Sequence, residues 1–237
     1  MRFSWRVDPE ARAICWRSMM TAPREMVRGR LFSLILDLGS SNGAFGRLTS
    51  MGKGRIVGVD ISPQVPLTEG VEFVQADILH LPFKDESFDL ITARAILHHV
   101  PKDLDAAVNE ACRVLRPGHV LLNQEPTSDN CLSELARRLF RTVLHDPSER
   151  TFSSERLRDV ISGSLTILEV RYHLVLTYLL PHIASRLRGL WREMLLGLSR
   201  LLLRVDESLL ARGTFWRRRA AYVTVMAEKP QTQSLSP

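Results

Sequence analysis

Three aspartates stand where apolar runs end, and their spacing suggests a nucleotide-type ligand. Leu34-Ile35-Leu36 leads into Asp37, Ile56-Val57-Gly58-Val59 into Asp60, and the alternating Val71–Ala76 stretch into Asp77. Gly39 and Gly43 follow Asp37, with Ser40 and Ser41 between them. A glycine turn joining a buried strand to a helix lets backbone approach a ligand, and the helix start offers N–H groups. Asp60, 23 positions after Asp37 and followed by Ile61, is placed to accept both hydroxyls of a ribose. An acid at Asp77 with Ile78 beside it suits the amino group and ring of a base. Further along, His98 and His99 follow a fourth apolar run and Glu125 ends a fifth, so each can take a proton from a substrate.

These residues need a scaffold of buried parallel strands with helices between them. Leu34–Asp37, Arg55–Asp60, Val71–Asp77, Leu90–Ala93 and Val120–Leu122 are the first five strands. Ala44, Phe45, Leu48 and Met51 give the first helix its apolar positions. Pro63 and Pro66 shorten any helix after the second strand. Asp103 is placed to cap a helix over Leu104–Leu115, which Pro117-Gly118 would stop. Residues 1–33 read as one or two helices punctuated by Pro9 and Pro23. Residues 127–164 read as helical, with Leu132, Leu135, Leu139, Phe140 and Val143 on one face and a capped start near Thr151–Leu157. A sixth strand covers Leu165–Tyr172 and a seventh Ala221–Ala227.

Composition narrows the class. The chain has 237 residues, 45% of them hydrophobic, enough for one large α/β domain. Its +6 charge comes from 28 arginines and four lysines, a bias that genome composition alone can produce. Cys15, Cys112 and Cys131 lack metal-type spacing, so no metal site is expected and a reduced, cytoplasmic chain is the simple reading. The N-terminus shows no apolar signal region, and no apolar run is long enough to span a bilayer.

The stretch LPFKDESFDLITARAILHHV followed by EACRVLRPGHVLL, together with Asp37-x-Gly39-x-Ser41-x-Gly43, resembles the class I S-adenosylmethionine-dependent methyltransferases that act on small molecules, of the type 11 kind. The resemblance runs from about Leu34 to Pro126. It implies a Rossmann-like, doubly wound α/β sheet of seven strands, the last antiparallel. S-adenosylmethionine would lie across the C-terminal strand ends. On this resemblance the cofactor site comprises Asp37, Gly39, Ser40, Ser41, Gly43, Asp60, Ile61, Asp77, Ile78 and the Ala93–Arg94 turn, and His98, His99 and Glu125 are the candidate catalytic residues. Ser41 departs from the pattern by replacing its middle glycine. Its Cβ would crowd the cofactor, or its hydroxyl would replace a water contact.

The domain expectation is a helical N-terminal segment at 1–33, the methyltransferase domain at 34–230, and a mobile tail at 231–237. Within the domain, residues 173–220 form a helical insertion between the last two strands, far longer than a hairpin loop. An apolar pattern through Leu187, Leu190, Trp191, Met194, Leu195, Leu198, Leu202 and Val205 is interleaved with arginines. Three readings fit: a packed helical cap, a cap forming a pocket for a hydrophobic or lipid-like acceptor, and a peripheral contact of 174–219 with an anionic membrane at its inner face. Arg217-Arg218-Arg219 would add attraction to phosphate. The expected function is methyl transfer to a small, apolar acceptor. The alternatives are a tRNA or rRNA methyltransferase, disfavoured because no RNA-binding module or flipped-base motif is seen, and a non-catalytic protein acting through its insertion.

Overall fold

The computed structural model describes residues 9–64, 68–139 and 151–231. Seven strands form one sheet in the order β3-β2-β1-β4-β5-β7-β6. They are β1 (Leu34–Leu38), β2 (Arg55–Asp60), β3 (Val71–Gln75), β4 (Phe88–Arg94), β5 (Leu115–Pro126), β6 (Thr166–His173) and β7 (Tyr222–Glu228). Strands β1 to β5 pair in parallel and the last strands are antiparallel, which gives the Rossmann-like, doubly wound sheet. The helices are α1 (Pro9–Met26), α2 (Ala44–Thr49), α3 (Leu104–Val114), α4 (Cys131–Leu139), α5 (Ser154–Ser162), α6 (Leu179–Ala184), α7 (Gly189–Arg212) and α8 (Thr214–Arg217).

The chain divides into two compact units. The sheet unit comprises Pro23–Glu125, Glu155–Val170 and the described residues from Thr224 onward. Its core joins Ile35, Ile56, Leu90, Val120, Leu122 and Met226, with Met26 and Val27 at the end of α1. These are the apolar runs read from the sequence. Strands covered on both faces need such runs, because every side chain meets a packed layer. Asp89, 5% exposed at the start of β4, accepts the N–H groups of Ser33 and Leu34 and so fixes where β1 begins.

The second unit comprises the described parts of Met1–Ala22, Pro126–Ser154 and Arg171–Val223. Ile14, Ala184 and Leu196 form its apolar cluster, with Leu195 and Leu203 against it. The buried Asp206 of α7 accepts three backbone N–H groups, from Val175 (2.9 Å), Leu176 (2.8 Å) and Thr177 (3.0 Å). One carboxylate thereby ties the segment ahead of α6 to α7.

Several boundaries depart from expectation. Pro117-Gly118 does not stop α3, which ends at Val114; both residues lie inside β5. The register jumps there, from Phe88↔Leu115 to Leu90↔Val120, so the pair makes a bulge. Gly118 (φ 74°) donates to the Lys229 carbonyl, and Lys229 donates to the His119 carbonyl. Asp103 precedes α3 but makes no side-chain cap; its carbonyl receives the Ala107 N–H. Pro23 lies within α1 rather than ending it. No helix occurs between β2 and β3 among the described residues, and Pro66 lies outside them. Met51 falls beyond α2 and is exposed. On α4, Ser133 and Ala136 are buried while Leu135 is exposed, because Asn130 accepts the Ser133 N–H and turns that side inward. Phe140, Val143 and most of the 231–237 tail lie outside the described residues.

Replacing Asp206 with alanine leaves two buried N–H groups and one partly buried one without their acceptor. We expect a loss of about 3 kcal/mol in urea unfolding, on the cost of unsatisfied buried donors.

Candidate functional site

The glycine turn is held from inside the sheet. Asp37, 1% exposed, receives the Thr92 hydroxyl on Oδ1 (2.6 Å) and the Ser40 hydroxyl (2.9 Å) and Gly46 N–H (3.2 Å) on Oδ2. Asp37 is opposite Thr92 in the β1–β4 register, which explains why a threonine interrupts an apolar strand. Burial outweighs these bonds and pushes the carboxyl up from 3.8 to about 6. Asp37 and Ser40 therefore organise the turn, and neither presents its side-chain oxygen outward as a ligand contact.

The glycines are needed against protein side chains. A Cβ on Gly39 (φ 61°) would lie 2.5 Å from Ile96 Cγ1, and one on Gly43 (φ 69°) 2.7 Å from Val71 Cγ2. The start of α2 is already committed in part. Ala44 N–H donates to Asn42 Oδ1 and Gly46 N–H to Asp37, so the helix start offers fewer donors than its sequence suggests. Ser41 is exposed with φ 49°, the left-handed region that favours glycine. Its N–H donates to Asp60 Oδ2 (3.1 Å) and ties the turn to the end of β2.

Around that turn stand groups open to a ligand. Asp60 ends β2 and is half-buried. Oδ1 receives the Ser62 N–H (2.9 Å) and Oδ2 that of Ser41, so each oxygen keeps a second lone pair. Ile61 is 71% exposed beside it, an apolar face in water. Asp77, two residues past β3, is half-buried with Oδ1 held by the Leu79 N–H, and Ile78 is buried. Ala93 and Arg94 do not form a turn. They are the last residues of β4, and the chain turns at Ala95 (φ 50°). Ala93 is buried; the Arg94 guanidinium sits 5.9 Å over the Phe45 ring and donates to Gln124 Oε1. Thr92, Ile96 and Gln124 do not stand out in the sequence, and Phe45 does so only as an apolar helix position. Register would have found Thr92, and a bare Gly39 implies a bulky neighbour without naming Ile96.

Two of the candidate catalytic residues form a buried pair. Glu125, near the end of β5 and without exposed surface, receives the Ile96 and Leu97 N–H groups on Oε1 (2.9 Å each). Its Oε2 lies 2.9 Å from His98 Nδ1. With both carboxylate oxygens accepting, Nδ1 carries the ring hydrogen and Nε2 is the basic nitrogen. His98 belongs to a 3-10 turn, Leu97–His99, and is 9% exposed. His99 is exposed, its ring 4.2 Å from that of His98. Two of the three catalytic candidates are thus brought together.

Residues 36–122 match the family model described as a methyltransferase domain. On this match the segment is similar to methyltransferase domains. The chain is 34% identical over 97 residues to phthiotriol/phenolphthiotriol dimycocerosates methyltransferase 1 of Mycobacterium ulcerans, spanning 41% of this chain and 35% of that one. It is 35% identical over 91 residues to the ubiquinone/menaquinone biosynthesis C-methyltransferase UbiE of Bartonella tribocorum, spanning 38% and 30%. The chain thus covers about a third of the length of these curated relatives. In fold, the chain is similar to the N-methyltransferase NodS of Bradyrhizobium japonicum in complex with S-adenosylhomocysteine. There the TM-score is 0.57 at 16% identity, over 96% of this chain and 92% of that one.

Two substitutions in the turn have opposite expected effects. The Asp37 carboxyl binds its proton more tightly when folded, so its contribution to stability is present below pH 3.8 and lost as pH rises through about 6. Asp37→Asn removes that pH dependence but sets an amide N–H against the Gly46 donor. Urea unfolding should show the variant less stable at pH 4, by about 2 kcal/mol, with the gap narrowing toward pH 7. Ser41→Gly relieves the left-handed strain and keeps the N–H on Asp60; we expect a change between zero and about 1 kcal/mol in its favour.

Proposed function

We propose that this protein transfers a methyl group from S-adenosylmethionine to a small, apolar acceptor, with His98 as the general base. The observation that carries the reading is the His98–Glu125 pair, set in the same unit as the Asp60 turn. Residues for the cofactor fit on their chemistry. Asp60 has a lone pair left on each oxygen, which suits a vicinal diol. The exposed Ile61 offers an apolar surface to an adenine ring, and Asp77 a carboxylate to its amino group. The cofactor supplies an electrophilic methyl group on a sulfonium, already activated, so the protein's task is alignment and exclusion of water.

Glu125 orients the His98 ring and stabilises the imidazolium that forms when Nε2 accepts a proton. The two backbone N–H groups on Oε1 keep the carboxylate from rotating away. An acceptor that keeps an acidic O–H or C–H hydrogen near neutral pH needs such a base; an amine already free of its proton does not. The apolar character of the acceptor is supported by two relatives whose names refer to dimycocerosates and to ubiquinone/menaquinone biosynthesis.

Calorimetry with S-adenosylmethionine and S-adenosylhomocysteine tests the binding half. Heat is expected with both, and Asp60→Ala should weaken each by at least about tenfold, as loss of two charge-assisted hydrogen bonds. Absence of heat with either would sink the enzyme reading. Turnover on apolar phenols and quinols tests the base: His98→Ala and Glu125→Gln should lower kcat by about a hundredfold while leaving cofactor affinity unchanged. Full turnover in both variants would rule out a histidine base.

A further inference from the structure

Helix α7 presents two different faces. Leu196, Ser199 and Asp206 are buried and Leu195 and Leu203 pack beside them, which makes an inner seam. On the other side Leu190, Met194, Leu198, Leu201 and Val205 recur at helical spacing, with Trp191 at their edge. All are exposed, Leu190 by 73%, Trp191 by 68% and Leu201 by 58%. The stripe runs from Leu190 to Val205, about 22 Å at 1.5 Å per residue. Phe215 on α8 is also exposed, with the Arg219 guanidinium 3.7 Å over its ring. An unbroken apolar stripe of this length is larger than scattered surface leucines explain.

Charge selects the occupant. Residues 186–219 hold nine arginines against three acids. Of the acids, Asp206 is buried on backbone N–H groups and Glu193 is paired with Arg192. Arg188, Arg204, Arg212 and Arg218 are exposed along the helix and beyond its end. A second copy docked through the same face by a twofold axis would set these arginines against their own kind. A surface that is apolar within and anionic at the rim matches both features. No helix among the described residues is long and apolar enough to cross a membrane, so contact would be made in the plane of the surface.

We propose that the outer face of α7, with Phe215 and the arginines that flank it, lies in the headgroup layer of an anionic lipid bilayer. The apolar stripe inserts to the acyl boundary, and the guanidinium groups pair with lipid phosphates. Lipid partition can be measured on the protein without cofactor, so the outcome is independent of methyl transfer.

Co-sedimentation with phosphatidylcholine vesicles, with and without about a third phosphatidylglycerol, is the test. The wild-type chain should partition onto anionic vesicles, weakly onto neutral ones, and less as salt rises from about 50 to about 300 mM. Trp191→Asp/Met194→Asp should lower partition at least tenfold. Arg204→Glu/Arg218→Glu should lower it by a similar factor on anionic vesicles alone. Both pairs are exposed, so thermal unfolding should match the wild type, and the arginine pair remains informative if the other fails to fold. On binding, Trp191 emission should shift to the blue, and Trp191→Phe should remove the shift. Absence of partition at low salt, or equal partition by folded variants, overturns the proposal. A stable dimer in sedimentation equilibrium, dispersed by Trp191→Asp/Met194→Asp, assigns the face to a second copy instead and overturns it as well.

Discussion

The buried carboxylate of Asp37 is the constraint on which the sheet unit's site depends. Its three bonds join β1 to β4 through Thr92, to the turn through Ser40 and to α2 through Gly46. Toward β2 the turn is held by backbone donors, the Ser40 N–H on the Val59 carbonyl and the Ser41 N–H on Asp60, so Asp37 supplies the link to β4 and α2. The arrangement is costly, since an ionised carboxyl has lost its water, as its raised pKa records. That cost is offset by rigidity where a ligand must be met. With the turn fixed, Ser41 can hold φ 49° and aim its N–H at Asp60, although a serine rarely adopts that conformation.

The same device recurs. Glu125 holds the Ile96 and Leu97 N–H groups, and Asp206 holds those of Val175, Leu176 and Thr177. Each is a buried acid that gathers backbone donors of a nearby loop, on both oxygens of Asp206 and on Oε1 of Glu125. Charge-assisted bonds of this kind are shorter and stronger than neutral ones, so each loop has one preferred course. By contrast Asp60 and Asp77 are half-exposed and accept fewer N–H groups. Acids that shape loops and acids available to ligands thus separate by burial, although in sequence all five look alike.

Strand content was legible because a sheet covered on both faces demands apolar runs, and each run but the fifth ended close to its observed strand; Val120–Leu122 is only the middle of β5, Leu115–Pro126. That the sheet has seven strands with an antiparallel end came through resemblance rather than periodicity. Other features were hidden for physical reasons. Pro117-Gly118 carries the same local signal whether it ends a helix or makes a bulge, and only pairing with Lys229 decides. A glycine shows that a Cβ is unwelcome but not what it would strike; Gly39 faces Ile96 and Gly43 faces Val71. Asp37 and Ser40 fall in a recognised motif, yet their inward direction depends on Thr92, 55 residues away. The pairing of His98 with Glu125 likewise required the adjacent courses of β4 and β5.

Helix α7 shows the limit of periodicity most clearly. A helix that is apolar on much of its circumference gives no signal for which face is inside. Trp191, Met194 and Leu198 look like core positions, whereas Ser199 and Asp206 look like surface. The structure reverses them, because Asp206 satisfies three N–H groups ahead of α6 and Ser199 donates to the Leu195 carbonyl. Polar groups can be buried at little cost when their hydrogen bonds are made. Here the tertiary demand of one backbone segment sets the rotation of a 24-residue helix. The leucines left outside are then a consequence of that rotation, and their exposure is what gives the arginine-rich face its apolar centre.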